Sequence, residues 1–161
     1  MTRPPFGPPT AQDIAVVSVQ LGRPARNVVG IAARCVCGKP TVVSTQPRLD
    51  DGTPFPTFYY LTHPAATAAI STLEAEGLMP ELALLIDERY AAAHESYIAD
   101  RESVEVVDEI AGISAGGMPS RVKCLHALAG HSLAAGPGVN PIGDRALELC
   151  DWSPEVCQCV D

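Results

Sequence analysis

Short apolar runs separated by glycine and proline define the first part of this chain. Two β-branched runs, from Val28 to Ala33 and from Thr41 to Thr45, flank the sequence CVCGKP. Glycine and proline at that place are typical of a turn, so the pattern predicts a β-hairpin. The run TFYYLT, which ends just before His63, predicts a third strand of the same antiparallel sheet.

Helical spacing of apolar residues prevails elsewhere. A short helix should begin after Thr10, which resembles an N-cap, and end before Gly22. Pro64 and Pro80 suit the first turn of two further helices, and the second of these should exceed about 20 residues. A fourth helix is predicted from about Pro119 to Ala135, and a short one at DRALELC. These elements predict an α+β fold, with a small antiparallel sheet of about three strands packed against four to five helices.

The chain length fits one domain. Its 161 residues, 47% of them apolar, are enough to bury a substantial core. The proline-rich start predicts a flexible lead-in over residues 1–9, followed by a single domain over residues 10–150. The polar sequence of residues 151–161 predicts a loose tail.

Composition and charge exclude several classes of protein. No apolar run approaches the roughly 20 residues of a membrane span, and the N-terminus lacks the apolar segment of a secretory signal. A net charge of −8 argues against general nucleic-acid binding. We therefore expect a cytoplasmic protein. In a reducing compartment its six cysteines would be core residues, metal ligands or nucleophiles rather than disulfides.

Several cysteine and histidine side chains stand at the ends of predicted elements, where they can be aimed at one point. Zinc prefers four ligands drawn from thiolate, imidazole and carboxylate. The predicted zinc ligands are Cys35, His63, Cys124 and His131, with His126 as an alternative to His131. On a straight helix Cys124 and His131 would lie about 10 Å apart, which is too far for both to bind one ion without bending or an early helix end. Separate buried thiols and imidazoles remain the alternative interpretation.

The role of such an ion would depend on its coordination. An ion with an open position would activate water for hydrolysis. An ion closed by four protein ligands would be structural or regulatory.

Cysteine catalysis without a metal is a second hypothesis. Cys124 is predicted near a helix N-terminus, where the helix dipole lowers the pKa of a thiol. Arg121 and Lys123 would act in the same direction, and His126 is the candidate base. A buried cysteine on an amphipathic helix is the simpler alternative.

A basic anion-binding loop is predicted beside the same helix. Gly116 and Gly117 free the backbone of SAGGMPSR, and the helix that follows presents unpaired N–H groups. Arg121 and Lys123 add positive charge, and Arg48 comes from a segment rich in basic residues. These three side chains are the predicted contacts to a small anionic ligand, and a flexible connector is the alternative.

A stripe of polar-tipped side chains predicts a site wall or a face for a protein partner. Its members recur at i, i+4, i+7 and i+11 of a helix, and they are Tyr90, His94, Tyr97 and Arg101. The corresponding third hypothesis is a non-catalytic, partner-binding module.

Six motifs together resemble the bacterial family of domain of unknown function 501. They are RC-x2-G-x-P-x-VV at residues 34–43, DGTPFPT at 51–57, YYLTHP at 59–64, RVKCLH at 121–126, AGHSLA at 129–134 and NPIGD at 140–144. The resemblance covers about residues 20–147 and includes Cys35 and Cys124. Relatives often carry Cys at position 63, where this chain has His63. Since Cys and His both bind zinc, the resemblance favours a metal site, but it implies no activity.

The remaining cysteines do not look like part of the family pattern. We interpret them as incidental thiols, and they are Cys37, Cys150, Cys157 and Cys159.

Overall fold

A three-stranded antiparallel sheet forms the first layer of the protein. The computed structural model of the chain describes residues 4 and 6–159. Strands β1 (Val28–Arg34), β2 (Pro40–Thr45) and β3 (Tyr59–Leu61) lie in the order β1-β2-β3. Every residue of the central strand β2 is buried. The predicted hairpin and third strand are confirmed.

The hairpin turn between β1 and β2 is closed by two backbone hydrogen bonds. The Cys35 N–H donates to the Lys39 carbonyl at 2.8 Å, and the Gly38 N–H donates to the Cys35 carbonyl at 2.8 Å. Gly38 has a φ of 97°, a conformation that a residue with a side chain rarely adopts. The turn therefore places Cys35 and Cys37 at one end of the sheet.

The described residues form six α-helices, and the α+β class is confirmed. Helix α1 (Ala11–Leu21) begins with a capping box between Thr10 and Asp13, and α2 (Pro64–Ala75) begins at Pro64 as predicted. The remaining helices are α3 (Met79–Leu82), α4 (Glu88–Glu102), α5 (Leu125–Ala135) and α6 (Pro141–Leu149). No helix within the described part of the chain is long and apolar enough to cross a membrane.

The long helix predicted after Pro80 is interrupted. Helix α3 passes into a 3₁₀ turn at Ala83–Leu85, and the chain is extended at Ile86 and Asp87 before α4 begins. The Asp87 side chain accepts a hydrogen bond from the Arg89 N–H, and so it caps a new helix. The predicted helix is therefore divided, and Asp87 caps its second part.

Helix α5 is the centre of the helical layer, and nine of its residues are buried. It begins at Leu125 and not near Pro119, because Cys124 has an extended backbone and occupies the N-cap position. Helix α6 packs closely on α5 at Gly143, where a Cβ atom would collide with the Leu128 carbonyl oxygen. This close approach requires glycine.

The described part of the tail contacts the rest of the protein at two places. Trp152 is buried and its ring lies 5.4 Å from that of His63, at the start of α2. The Val36 N–H of the hairpin turn donates to the Pro154 carbonyl at 2.9 Å. At the other terminus, Phe6 packs edge-on against the Tyr59 ring, while residues 1–3 and 5 of the predicted lead-in lie outside the described residues.

Candidate metal centre

Two Cys-x-Cys segments meet where the tail crosses the hairpin turn. Cys35 and Cys37 come from the turn, and Cys157 and Cys159 come from the tail. The four Sγ atoms all lie within 4.8 Å of one another, and the Cys37 and Cys159 sulfurs are 3.5 Å apart. In a tetrahedral zinc site with Zn–S bonds of about 2.3 Å, the sulfurs are separated by about 3.8 Å. The spacing of the four thiols is therefore compatible with one tetrahedral metal ion.

The four thiols differ in exposure, and the pKa values of two of them are shifted. Cys35 is buried, Cys159 is half-buried, and Cys37 and Cys157 are exposed. A hydrogen bond from the Lys39 backbone, assisted by the Cys159 side chain, lowers the pKa of Cys37 to about 7. Burial and the neighbouring thiols raise the pKa of Cys159. Because a metal ion binds thiolates, occupancy of this cluster would release the protons held by the thiols.

His63 lies beside this cluster. As N-cap of α2, its Nδ1 accepts a hydrogen bond from the Ala66 N–H at 3.4 Å. A neutral imidazole that accepts at Nδ1 carries its proton on Nε2, and Nε2 lies 3.0 Å from the Cys159 Sγ. His63 is therefore placed as a hydrogen-bond donor to a cysteine sulfur of the cluster.

The four ligands predicted from the sequence are divided among three places. Cys35 belongs to the four-cysteine cluster, His63 contacts that cluster, and Cys124 lies with Glu74 and His126. Among the described residues, no group of metal-ligating side chains within 4.8 Å of one another combines Cys35 with Cys124. The N-terminus of α5 packs against the end of α2 that carries Glu74. His63 stands at the other end of α2, about 16 Å from Glu74 along the α2 axis. The predicted set therefore does not converge.

His131 lies in the hydrophobic core. It is fully buried, its ring stacks on Tyr59 with centroids 5.8 Å apart, and it meets Tyr97 edge-on at 5.0 Å. Its Nδ1 lies 3.2 Å from the Asn140 side-chain nitrogen. Helix α5 thus directs His131 towards β3 and away from the Cys124 side chain.

Glu74, Cys124 and His126 form a second cluster where α2 meets α5, and the ligand atoms of these residues lie within 4.8 Å of one another. The Leu125 N–H donates to Glu74 Oε2 at 2.9 Å. A hydrogen bond from His126 lowers the pKa of Cys124, and the same contact raises the pKa of His126. The predicted pair of Cys124 and His126 is thus in contact.

The predicted anion-binding residues are engaged differently from the expectation. Arg48 forms an ion pair with Glu109 at 2.8 Å. Arg121 and Lys123 are exposed in the segment before α5. The N-terminus of α5 already receives a carboxylate from within the protein, that of Glu74. Anion binding by these three cations therefore remains a prediction.

The polar face of α4 is interior in this structure. Tyr90, His94, Tyr97 and Arg101 are at most 8% exposed. The Tyr90 hydroxyl donates to a carbonyl of the segment before α5, and the Arg101 guanidinium donates to two loop carbonyls at 3.0 Å each. The Tyr97 hydroxyl accepts the Tyr59 N–H. These contacts pack the face into the interior of the protein, and its role as a site wall or partner face remains a prediction.

Comparison with protein families matches residues 31–148 to the family described as "Protein of unknown function (DUF501)". The chain belongs to this family. Searches of curated proteins and of solved structures gave no match. The DUF501 match includes Cys35, Cys37 and His63 but ends before Cys157 and Cys159. The four-cysteine cluster therefore joins the DUF501 region to a segment that lies outside the match.

Sequence reasoning missed three members of this cluster, namely Cys37, Cys157 and Cys159. Each Cys-x-Cys segment alone is a weak signal, and the polar tail suggested no fixed position for the second. The usable signal was the repetition of the same spacing, since two Cys-x-Cys segments together supply the four thiolates of a zinc site.

Proposed function

We propose that this chain is a metal-stabilised binding module, in which the four-cysteine cluster holds one zinc ion in a closed, structural site. The main support for the proposal is the convergence of four sulfur atoms within 4.8 Å of one another. Thiolate ligands favour zinc and iron–sulfur centres over hard cations. Zinc suits a set of four single thiolates around one point.

A closed site favours a structural role over a hydrolytic one. Four thiolates fill the tetrahedral coordination of zinc, so no position is left for water. His63 also supports a structural site, because its Nε2 lies 3.0 Å from the Cys159 sulfur and can donate a hydrogen bond to it. Hydrogen bonds of this kind stabilise and orient ligands that are bound to a metal.

The energetics of the tail also favour a bound ion. None of the seven residues from Ser153 to Cys159 is buried, and the segment contacts the hairpin turn through the Pro154 carbonyl. Ordering seven backbone residues costs about 7–14 kcal/mol, and the exposed side chains recover little of this by apolar burial. Structural zinc contributes about 10–16 kcal/mol in small zinc domains, which is enough to offset the cost.

The ion would fix one wall of a cavity of about 720 Å³. Val16 and Val19 of α1 line one side, and Gln158 and Cys159 of the tail line the other. The volume lies within the usual range for small-molecule sites, about 300–1,000 Å³. The mostly apolar lining and the nearby cation of Lys39 fit an apolar molecule that carries an acidic group. Metal binding would thus keep the cavity in its binding form.

Metal analysis of the purified protein tests the proposal. We expect about one equivalent of zinc to be lost in Cys37→Ser and retained in Cys150→Ser, which removes a thiol outside the cluster. The sequence has one tryptophan, Trp152, so its fluorescence reports on the tail. Chelation should shift the Trp152 emission to the red as the tail releases it to water. Zinc content unchanged in Cys37→Ser, with no emission shift on chelation, would contradict the proposal.

A further inference from the structure

Three different ligand atoms face each other where α2 meets the start of α5. Glu74 lies in the last turn of α2, Cys124 occupies the N-cap position of α5, and His126 lies in the first turn of α5. Their carboxylate, thiol and imidazole ligand atoms lie within 4.8 Å of one another, and each residue is partly exposed. The group shares no residue with the four-cysteine cluster.

Hydrogen bonding on the far side of the His126 ring assigns the proton of that ring. Nε2 lies 3.3 Å from the Thr67 carbonyl oxygen and 3.0 Å from the Ser71 hydroxyl. A carbonyl oxygen only accepts, so Nε2 carries the proton and a neutral His126 has its lone pair on Nδ1. That lone pair faces the Glu74 carboxylate, with Nδ1 and Oε1 3.4 Å apart.

Two lone pairs at this distance repel each other unless a positive charge lies between them. Either a second proton on His126 or a metal ion satisfies the requirement. The donor set resembles that of catalytic zinc sites, which use three protein ligands of nitrogen, oxygen or sulfur and keep one open position. A ligating histidine also commonly donates its other N–H to a backbone carbonyl, as His126 does to Thr67.

We propose that Glu74, Cys124 and His126 bind a second divalent transition-metal ion, of which zinc is the best chemical match. One coordination position remains for water or for an anionic group of a ligand. The basic side chains of Arg121 and Lys123 stand in the segment that leads into Cys124, and they would favour an anion there. This site is independent of the proposed structural zinc.

Cobalt(II) titration of the full chain tests the second site, because cobalt–thiolate bonds absorb in the near ultraviolet and visible range. The wild-type protein should bind two equivalents. Cys124→Ser should bind one equivalent. The Cys124 side chain makes no capping hydrogen bond and serine is a favoured N-cap residue, so the variant should fold. Glu74→Gln keeps an acceptor for the Leu125 N–H, and it should lower the affinity for the second cobalt ion at least tenfold. Cys150→Ser is the matched control and should bind two.

The rate of alkylation distinguishes a metal ion bound to Cys124 from a proton on the neighbouring His126. If the metal binds here, cobalt should slow the reaction of Cys124 with iodoacetamide at least tenfold, and Glu74→Gln should weaken this protection. An alkylation rate that does not change with cobalt overturns the proposal and leaves a thiolate–imidazolium pair. The variants also distinguish this site from the four-cysteine cluster. Cys37→Ser should lose the cobalt ion of that cluster, while cobalt should still protect Cys124 from alkylation.

Discussion

Replacement of Cys157 by serine distinguishes a metal ligand from an incidental surface thiol. Cys157 is exposed, and its sulfur lies among the other three cysteines of the cluster. In a protein without metal, substitution of an exposed residue changes the free energy of unfolding by less than about 0.5 kcal/mol. As a zinc ligand, the same residue completes a link between the two ends of the chain. The two hypotheses therefore predict different outcomes for one conservative change.

The size of the expected effect follows from the loop that the metal closes. Cys37 in the turn and Cys159 in the tail are separated by 122 positions in the sequence. The chain-entropy treatment of a cross-link gives about 5 kcal/mol for a loop of this length. Because Cys157→Ser removes one of the four ligands and with it tight zinc binding, we expect the free energy of unfolding to fall by about 3–5 kcal/mol. For a domain of this size that corresponds to a fall in Tm of about 6–20 °C.

Urea denaturation followed by circular dichroism, with zinc in slight excess, measures this loss. Wild-type protein treated with a chelator should unfold like Cys157→Ser, and the variant should respond little to the same chelator. Cys150→Ser should unfold like the wild type. Equal unfolding free energies for Cys157→Ser and the wild type, within about 0.5 kcal/mol, would refute the reasoning.

Three further predictions concern the fold. Hydrogen bonds from Arg34 hold the pKa of Asp13 at about 2. The pair therefore stabilises the protein above pH ~4. The free energy of unfolding should fall by about 1–2 kcal/mol as the pH falls towards 2. Asp13→Asn should abolish this pH dependence when stability is measured across the acid range. Gly143→Ala should lower the free energy of unfolding by about 1–3 kcal/mol in the same urea assay, because the new Cβ would meet the backbone of α5. In the control Gly7→Ala, the new Cβ would lie in open space, so this variant should have little effect. Tyr97→Phe leaves a buried N–H of β3 without its acceptor, so calorimetry should show a loss of about 1–3 kcal/mol.

The sheet and the start of α2 could be predicted because local signals agree there. β-Branched runs on both sides of the turn at Gly38 predict a hairpin. The proline after His63 fits the first turn of a helix. The break before α4 was harder to predict. Asp87 is compatible with a helix interior, and it acts as a cap only because the preceding backbone is extended.

The candidate site could be predicted only in part. Cys35 and His63 were recognised because each ends an element, and both lie at the four-cysteine cluster. The role of the tail could not be inferred from hydrophobicity, since Cys157 and Cys159 lie in a polar segment whose position is set by the turn that it meets. The burial of the α4 face could not be inferred for a related reason. Buried polar tips such as that of Arg101 are tolerated when loop carbonyls satisfy them, and those loops are distant in sequence.

X-ray absorption at the zinc edge tests the central claim most directly. The measurement is best made on Cys124→Ser, which lacks the proposed second site. We expect about one zinc per chain, with four sulfur neighbours at about 2.3 Å. Zinc surrounded mainly by nitrogen or oxygen, or a protein that retains no metal, would contradict the account.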